Sequence, residues 1–212
     1  MAAVNGAATG PLWWDGLPAA VSGATRAPLA QDESVDVCVV GAGYTGLWTA
    51  YYLLEADPSL RVMVLEAEHV GFGASGRNGG WVSALYPVRP RTLARDHGEP
   101  ATRDQYAALR GSVDEVGRVA AAEGIDCGFH KGGTLVVATS RAQATRARAE
   151  VEDSRYWGTG TTFLTALAAT ERLGVAGLPG ATFNPSCARI HPVRPALGLA
   201  QAAERKGPTS HA

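Results

Sequence analysis

Three glycines at fixed spacing, Gly41-Ala42-Gly43-Tyr44-Thr45-Gly46, and a carboxylate twenty residues further on, Glu66, are the residues whose types and positions could act together chemically. In a dinucleotide-binding turn the first glycine bends the chain, the second lets backbone approach a pyrophosphate, and the third lets helix and strand pack closely. The helix that opens there offers free N–H groups and a partial positive charge to the phosphates. A carboxylate ending the next strand accepts hydrogen bonds from both ribose hydroxyls of an adenosine and repels a 2′-phosphate. The plainer reading makes the glycines a turn and Glu66 a polar strand end. The surrounding elements favour the site.

Val35-Asp-Val-Cys-Val-Val40 is short, apolar and β-branched, and predicts a buried strand of a parallel sheet. After the glycines the apolar spacing turns helical, with Leu47, Ala50, Tyr51 and Leu54 on one face until Asp57-Pro58 breaks it. Arg61-Val-Met-Val-Leu65 predicts a second strand that delivers Glu66. These pieces make one βαβ unit, so the fold class is α/β with a Rossmann-like half.

The fingerprint does not choose between NAD and FAD. Behind Glu66-Ala67 comes a second glycine-rich stretch, Gly71-Phe-Gly73-Ala74-Ser75-Gly76-Arg77-Asn78-Gly79-Gly80, where a nicotinamide enzyme would normally start another helix. Its backbone could run along a wider ligand; a flexible loop would also favour glycine.

Further along, Tyr106, Leu109, Val113, Val116 and Ala120 form a helical stripe, and Gly132 to Ala138 predicts a strand after a turn. Residues 140 to 156 predict an arginine-rich helix with a solvated face, Ala181 to Asn184 a further strand, and His191-Pro192 the start of a helix that Gly207-Pro208 ends. The expected organisation is an arm over 1–33 pinned by Trp13 and Trp14, a dinucleotide-binding part over 34–100, a partial substrate domain over 101–190, and a returning helix over 191–212.

A net charge of −1 and a pI near 6.5 give no footprint for nucleic acid. No apolar run reaches the roughly 18 residues of a membrane span, and the N-terminus carries no signal-peptide pattern, so a cytoplasmic protein is expected. Cys38, Cys127 and Cys187 have neither disulfide-framework nor metal-ligand spacing, which predicts a reducing compartment and no metal.

Taken together, Asp36 to Leu47, Val64-Leu-Glu-Ala67 and the Gly71 to Gly80 run closely resemble the D-amino-acid-oxidase-like family of FAD-dependent oxidoreductases, and GASGRNGG resembles its gamma-glutamylputrescine oxidase branch. The resemblance implies FAD, with Gly41 to Gly46 along the pyrophosphate, Glu66 and Ala67 at the adenosine ribose, and Gly73 to Gly80 running along the ribityl chain toward the isoalloxazine. It implies a small amine or amino-acid substrate oxidised at its C–N bond to an imine. It covers the N-terminal half of the family's length, and the helix from Pro192 would have to feed a third parallel strand. The residues there, Gly-Pro-Thr-Ser-His-Ala212, are neither apolar nor β-branched, so a truncated chain with an unpaired sheet edge is expected.

Three functions follow: a fragment of an amine oxidoreductase, a non-catalytic subunit complemented by a partner chain or self-associating through that edge, or an NAD-dependent dehydrogenase. No catalytic residue is assigned. His191 reads as a helix-start residue rather than a general base, His130 and Lys131 as a turn, and Trp48, Tyr51 and Tyr52 as core, while Trp81 has the position to approach a flavin or its substrate.

Overall fold

The computed structural model describes residues 11–17 and 26–207 and the backbone of 210–211. The chain divides into two compact units, one of residues 1–80, 119–128 and 190–212, the other of 81–118 and 129–189. Residues 81–100 therefore lie in the second unit.

The first unit is built on β1 (Val37–Val40), α1 (Tyr44–Ala56) and β2 (Val62–Leu65). β1 and β2 pair in parallel from Val37 opposite Val62 to Val40 opposite Leu65. α1 buries Leu47, Ala50, Tyr51 and Leu54, the face the apolar spacing marks, and stops at Asp57 ahead of Pro58. Val119 and Ile125 contribute to the same core. So does the helix Val193–Lys206, whose buried Ala196, Ala200, Ala202 and Ala203 are small enough to let it lie close.

Two expectations need correction. The strand at 35–40 is not buried on both faces: Cys38 is exposed, and Val40 is 84% exposed. β1 stands at a sheet edge, paired only with β2 among the described residues. The third parallel strand exists in short form, since Ser210 and His211 pair with Val64 and Leu65 on the far side of β2. Ladder pairing is made by main-chain N–H and C=O groups, so a polar pair can start a strand that side-chain pattern does not announce. Pro208, Thr209 and Ala212 lie outside the described residues, as do 1–10 and 18–25 of the expected arm.

The turn into β1 carries an exposed ion pair. Arg61 holds Asp36 through two guanidinium contacts of 3.0 and 3.1 Å and donates its own backbone N–H at 2.9 Å. These bonds lower the Asp36 carboxyl to about 2. A depressed carboxylate stabilises the fold above its unfolded value of about 4 and loses that contribution as pH falls through about 2. Wild type should therefore lose more of its urea midpoint than Asp36→Asn across that acid interval; parallel curves would show that the pair contributes nothing.

In the second unit β3 (Trp81–Ser83) pairs antiparallel with β7 (Cys187–Arg189), and β4 (Thr134–Ala138), β6 (Gly180–Asn184) and β5 (Thr162–Leu164) form a three-stranded sheet. Its helices are α2 (Pro90–His97), α3 (Glu99–Ala122, of which the residues from Val119 on belong to the first unit), α4 (Arg141–Trp157) and α5 (Ala166–Leu173); in the first unit Val193–Lys206 is α6 and Ser210–His211 is β8. α4 starts where Ser140 accepts the Gln143 N–H and ends at left-handed Gly158. Its arginines are solvated: Arg155 pairs with Glu152, and Arg148 lies over Phe163 with its guanidinium 3.8 Å from the ring centre.

Candidate dinucleotide site

β1 ends at Val40 and the chain turns back through Gly41, whose φ of +102° favours glycine. The turn is tied to β2 by Gly41 N–H donating to the Leu65 carbonyl at 2.6 Å. Gly46 is fixed more severely. A Cβ there would stand 2.0 Å from the Gly41 carbonyl oxygen and 3.1 Å from the Val39 side chain. Only bare backbone lets α1 lie against β1.

Gly43 is the extended residue before α1 and supplies no side-chain cap. The first N–H groups of a helix have no intrahelical acceptor. One is taken up from the second glycine-rich stretch: Ser75 Oγ accepts the Tyr44 N–H at 2.8 Å. Among the described residues none accepts the Thr45 or Gly46 N–H, which leaves donors at the positive end of α1. Thr45 is exposed on this turn.

The Glu66 carboxylate reaches back to the same turn. Its Oε2 accepts the N–H of buried Ala42 at 2.8 Å, and its Oε1 accepts the Glu68 N–H at 3.1 Å. Ala67 is exposed beside it. The two glycine segments also join directly, through Gly71 N–H to the Ala42 carbonyl at 3.0 Å.

Gly71 to Gly80 is a shaped loop with a short helical turn over Ala74–Gly76. Gly76 repeats the logic of Gly46, for a Cβ there would stand 2.3 Å from the Gly71 carbonyl oxygen. Asn78 staples the loop: its amide donates to the Ala74 and Ser75 carbonyls at 3.2 and 2.8 Å, and its Oδ1 accepts the Gly80 N–H at 2.8 Å. Arg77 donates to the Phe72 carbonyl at 2.7 Å and lies over that ring. Gly73, Ala74 and Gly79 are exposed, and a Cβ at Gly73 or Gly79 would meet nothing within 4 Å. Gly80 has φ +69°, and its carbonyl accepts the Ile190 N–H at 2.8 Å.

The structure thus gathers the fingerprint, Glu66, Ser75 and Asn78 in one unit. Tyr44, expected along the pyrophosphate, also ties the start of α1 to Pro192: its hydroxyl donates to the Pro192 carbonyl at 2.6 Å, and burial pushes its phenol up to about 12. Ser75 as the cap of α1 is invisible locally; the one signal is a helix start with no capping side chain of its own. Bare turn, free helix-start donors and a carboxylate suit a dinucleotide.

The other candidates stand elsewhere. Trp81 is 58% exposed on β3, with its indole N–H on Cys187 Sγ. Lys131 pairs with Asp114, and His130 bridges Arg189 through backbone. His191 directly precedes Pro192, the N-cap of α6, and burial lowers its imidazole, aided by Arg194. Tyr51 is core and donates to Glu123 at 2.9 Å. Among the described residues, no cluster of His, Cys, Asp or Glu could hold a metal, and no helix is long and apolar enough to cross a membrane.

A family model described as FAD dependent oxidoreductase, DAO, matches residues 36–210. Gamma-glutamylputrescine oxidoreductase of Escherichia coli strain K12 is 32% identical over 179 residues, 84% of this chain and 42% of that protein. Probable oxidoreductase OrdL of Haemophilus influenzae is 31% identical over 82% of this chain and 40% of its own length. The chain spans about two fifths of these relatives. L-amino acid deaminase from Proteus vulgaris with its specific insertion sequence deleted shares the fold, with a TM-score of 0.69 and 18% identity over 88% of this chain and 46% of that one.

Proposed function

Because the chain belongs to the family of FAD-dependent oxidoreductases, we propose that its first unit holds FAD and serves oxidation of a small amine or amino acid at the C–N bond. FAD is the family's cofactor, and a nicotinamide enzyme is no longer an alternative. When bound, FAD supplies the oxidant for a hydride equivalent leaving the carbon that bears the amine; water then hydrolyses the resulting imine.

The chain's own residues have binding and shaping work. Gly41, Gly43 and Gly46 keep the turn free of side chains for the pyrophosphate, and the α1 donors face its charge. Glu66 takes the adenosine ribose, with Ala67 beside it. Gly73 to Gly80 carries the line onward to the ribityl chain, Ser75 and Asn78 keeping that loop in place. The observation that carries this reading is the closure of both glycine turns on the N-terminus of α1, through Ser75 to Tyr44 and Gly71 to Ala42.

The relative named for gamma-glutamylputrescine makes an amine the favoured substrate class. A cytoplasmic, reducing setting is part of the proposal, supported by three free cysteines. One observation favours a complementing chain or self-association: β1 pairs on one side only and leaves Val40 exposed, an edge open to another strand.

Titration of the purified full chain with FAD, followed by quenching of flavin fluorescence together with light scattering, tests both points. Saturable one-to-one quenching is expected, with a mass above that of one chain. Absence of quenching at any accessible concentration overturns cofactor binding. A single-chain mass removes the association.

A further inference from the structure

Residues 11–17 do more than pack within the first unit. The Trp13 indole N–H donates to the Asn78 carbonyl at 2.7 Å, and its ring meets His191 edge-on with centroids 5.2 Å apart. Trp14 packs edge-on against His69 at 4.6 Å, and its ring would stand 3.4 Å from a Cβ at Gly76. The two tryptophans therefore touch the loop at Gly76 and Asn78, C-terminal to the Ser75 that caps α1. Asn78 already spends its side chain on Ala74, Ser75 and Gly80, so Trp13 occupies the one remaining main-chain acceptor of the residue that shapes the loop.

Ring packing alone would anchor residues 11–17 anywhere apolar; a directed N–H to one carbonyl fixes a register. We propose that Trp13 is a positioning residue of the dinucleotide site: its hydrogen bond to Asn78 holds the part of the loop beyond Ser75, residues 76–80, in the shape assigned to the ribityl end of the cofactor. The His191 ring backs Trp13 from the start of α6, and its Nδ1 is buried without a partner among the described residues. This inference rests on the FAD reading above, because the loop is the part assigned to the cofactor beyond its adenosine end.

The experiment uses the full chain and Trp13→Phe, which keeps an aromatic ring beside His191 and deletes the N–H. Affinities for FAD and for ADP are measured by calorimetry, since ADP reaches the fingerprint and Glu66 but not the rest of the loop. Loss of one directed hydrogen bond should weaken FAD about fivefold and leave ADP within about twofold. Amide exchange without ligand gives an independent reading: Gly76, Arg77 and Gly80, hydrogen-bonded within the loop, should exchange faster in the variant, and the β1–β2 amides should not. Equal weakening of FAD and ADP, or unchanged loop exchange, would overturn the positioning role and leave FAD binding standing. Wild-type protein that binds neither ligand overturns both. A variant that loses exchange protection throughout would mark Trp13 as a general anchor and also overturn the inference.

Discussion

Gly46→Ala should yield a chain that purifies without flavin and unfolds at lower denaturant even before cofactor is considered. The added Cβ falls 2.0 Å from the Gly41 carbonyl oxygen and 3.1 Å from Val39. The obstacle is backbone in a turn pinned to Leu65, so no rotamer change relieves it. α1 has to move off β1, carrying Leu47 and Ala50 out of a packed core. Overpacking of this kind costs about 3 kcal/mol, and the same movement displaces the helix-start N–H groups from a pyrophosphate. A drop in FAD affinity of roughly 100-fold or more is expected.

Three companion variants separate this cause from a general dislike of alanine in loops. Gly76→Ala meets the Gly71 carbonyl oxygen at 2.3 Å and should behave as badly. Gly43→Ala meets only Ser75 Oγ at 3.1 Å, a hydroxyl that can turn at the expense of its bond to Tyr44, so its loss should be intermediate. Gly79→Ala meets no protein atom within 4 Å and should keep the wild-type urea midpoint. Equal urea midpoints in Gly46→Ala and Gly79→Ala would refute the close-approach argument.

What could be read in the chain without its fold was whatever repeats or spaces itself locally. The stripe Leu47, Ala50, Tyr51, Leu54 does form the buried face of α1, and His191-Pro192 does open α6. The fingerprint turn and Glu66 meet because a βαβ unit returns its second strand beside its first. Side-chain pattern failed where the deciding interaction involves main chain or distant sequence. β8 pairs through backbone with residues about 146 positions earlier, and its Ser and His carry no strand signal. Val40 looks like core by composition, yet no described residue lies over it. Ser75 resembles any polar loop residue until α1 is seen to begin on a glycine that cannot cap it. Trp13 could be expected to dock, but its target is a carbonyl, and a carbonyl has no sequence signature.

The second large effect belongs to Glu66, and its size follows from counting acceptors. An ionised carboxylate offers about four lone-pair sites. The structure commits two of them, to the Ala42 and Glu68 N–H groups. On the proposed reading the other two would accept the two ribose hydroxyls of an adenosine, so the same side chain would both tie the fingerprint turn and recognise the sugar. Glu66→Ala removes all four at once and strands the N–H of Ala42, a residue only 2% exposed. Hydrogen bonds to a charged group are worth about 1.5–3 kcal/mol each, so ADP and FAD should both weaken by roughly 100-fold or more. Glu66→Gln keeps an acceptor for Ala42 but loses charge and lone pairs, and roughly tenfold is expected. Charge gives the sharper test. Wild type should discriminate against ADP carrying a 2′-phosphate, and Glu66→Gln should narrow that preference because the repulsion is gone. Were Glu66→Ala to bind ADP as wild type does, the carboxylate would be serving only the turn, and the ribose would have to be held elsewhere in the unit.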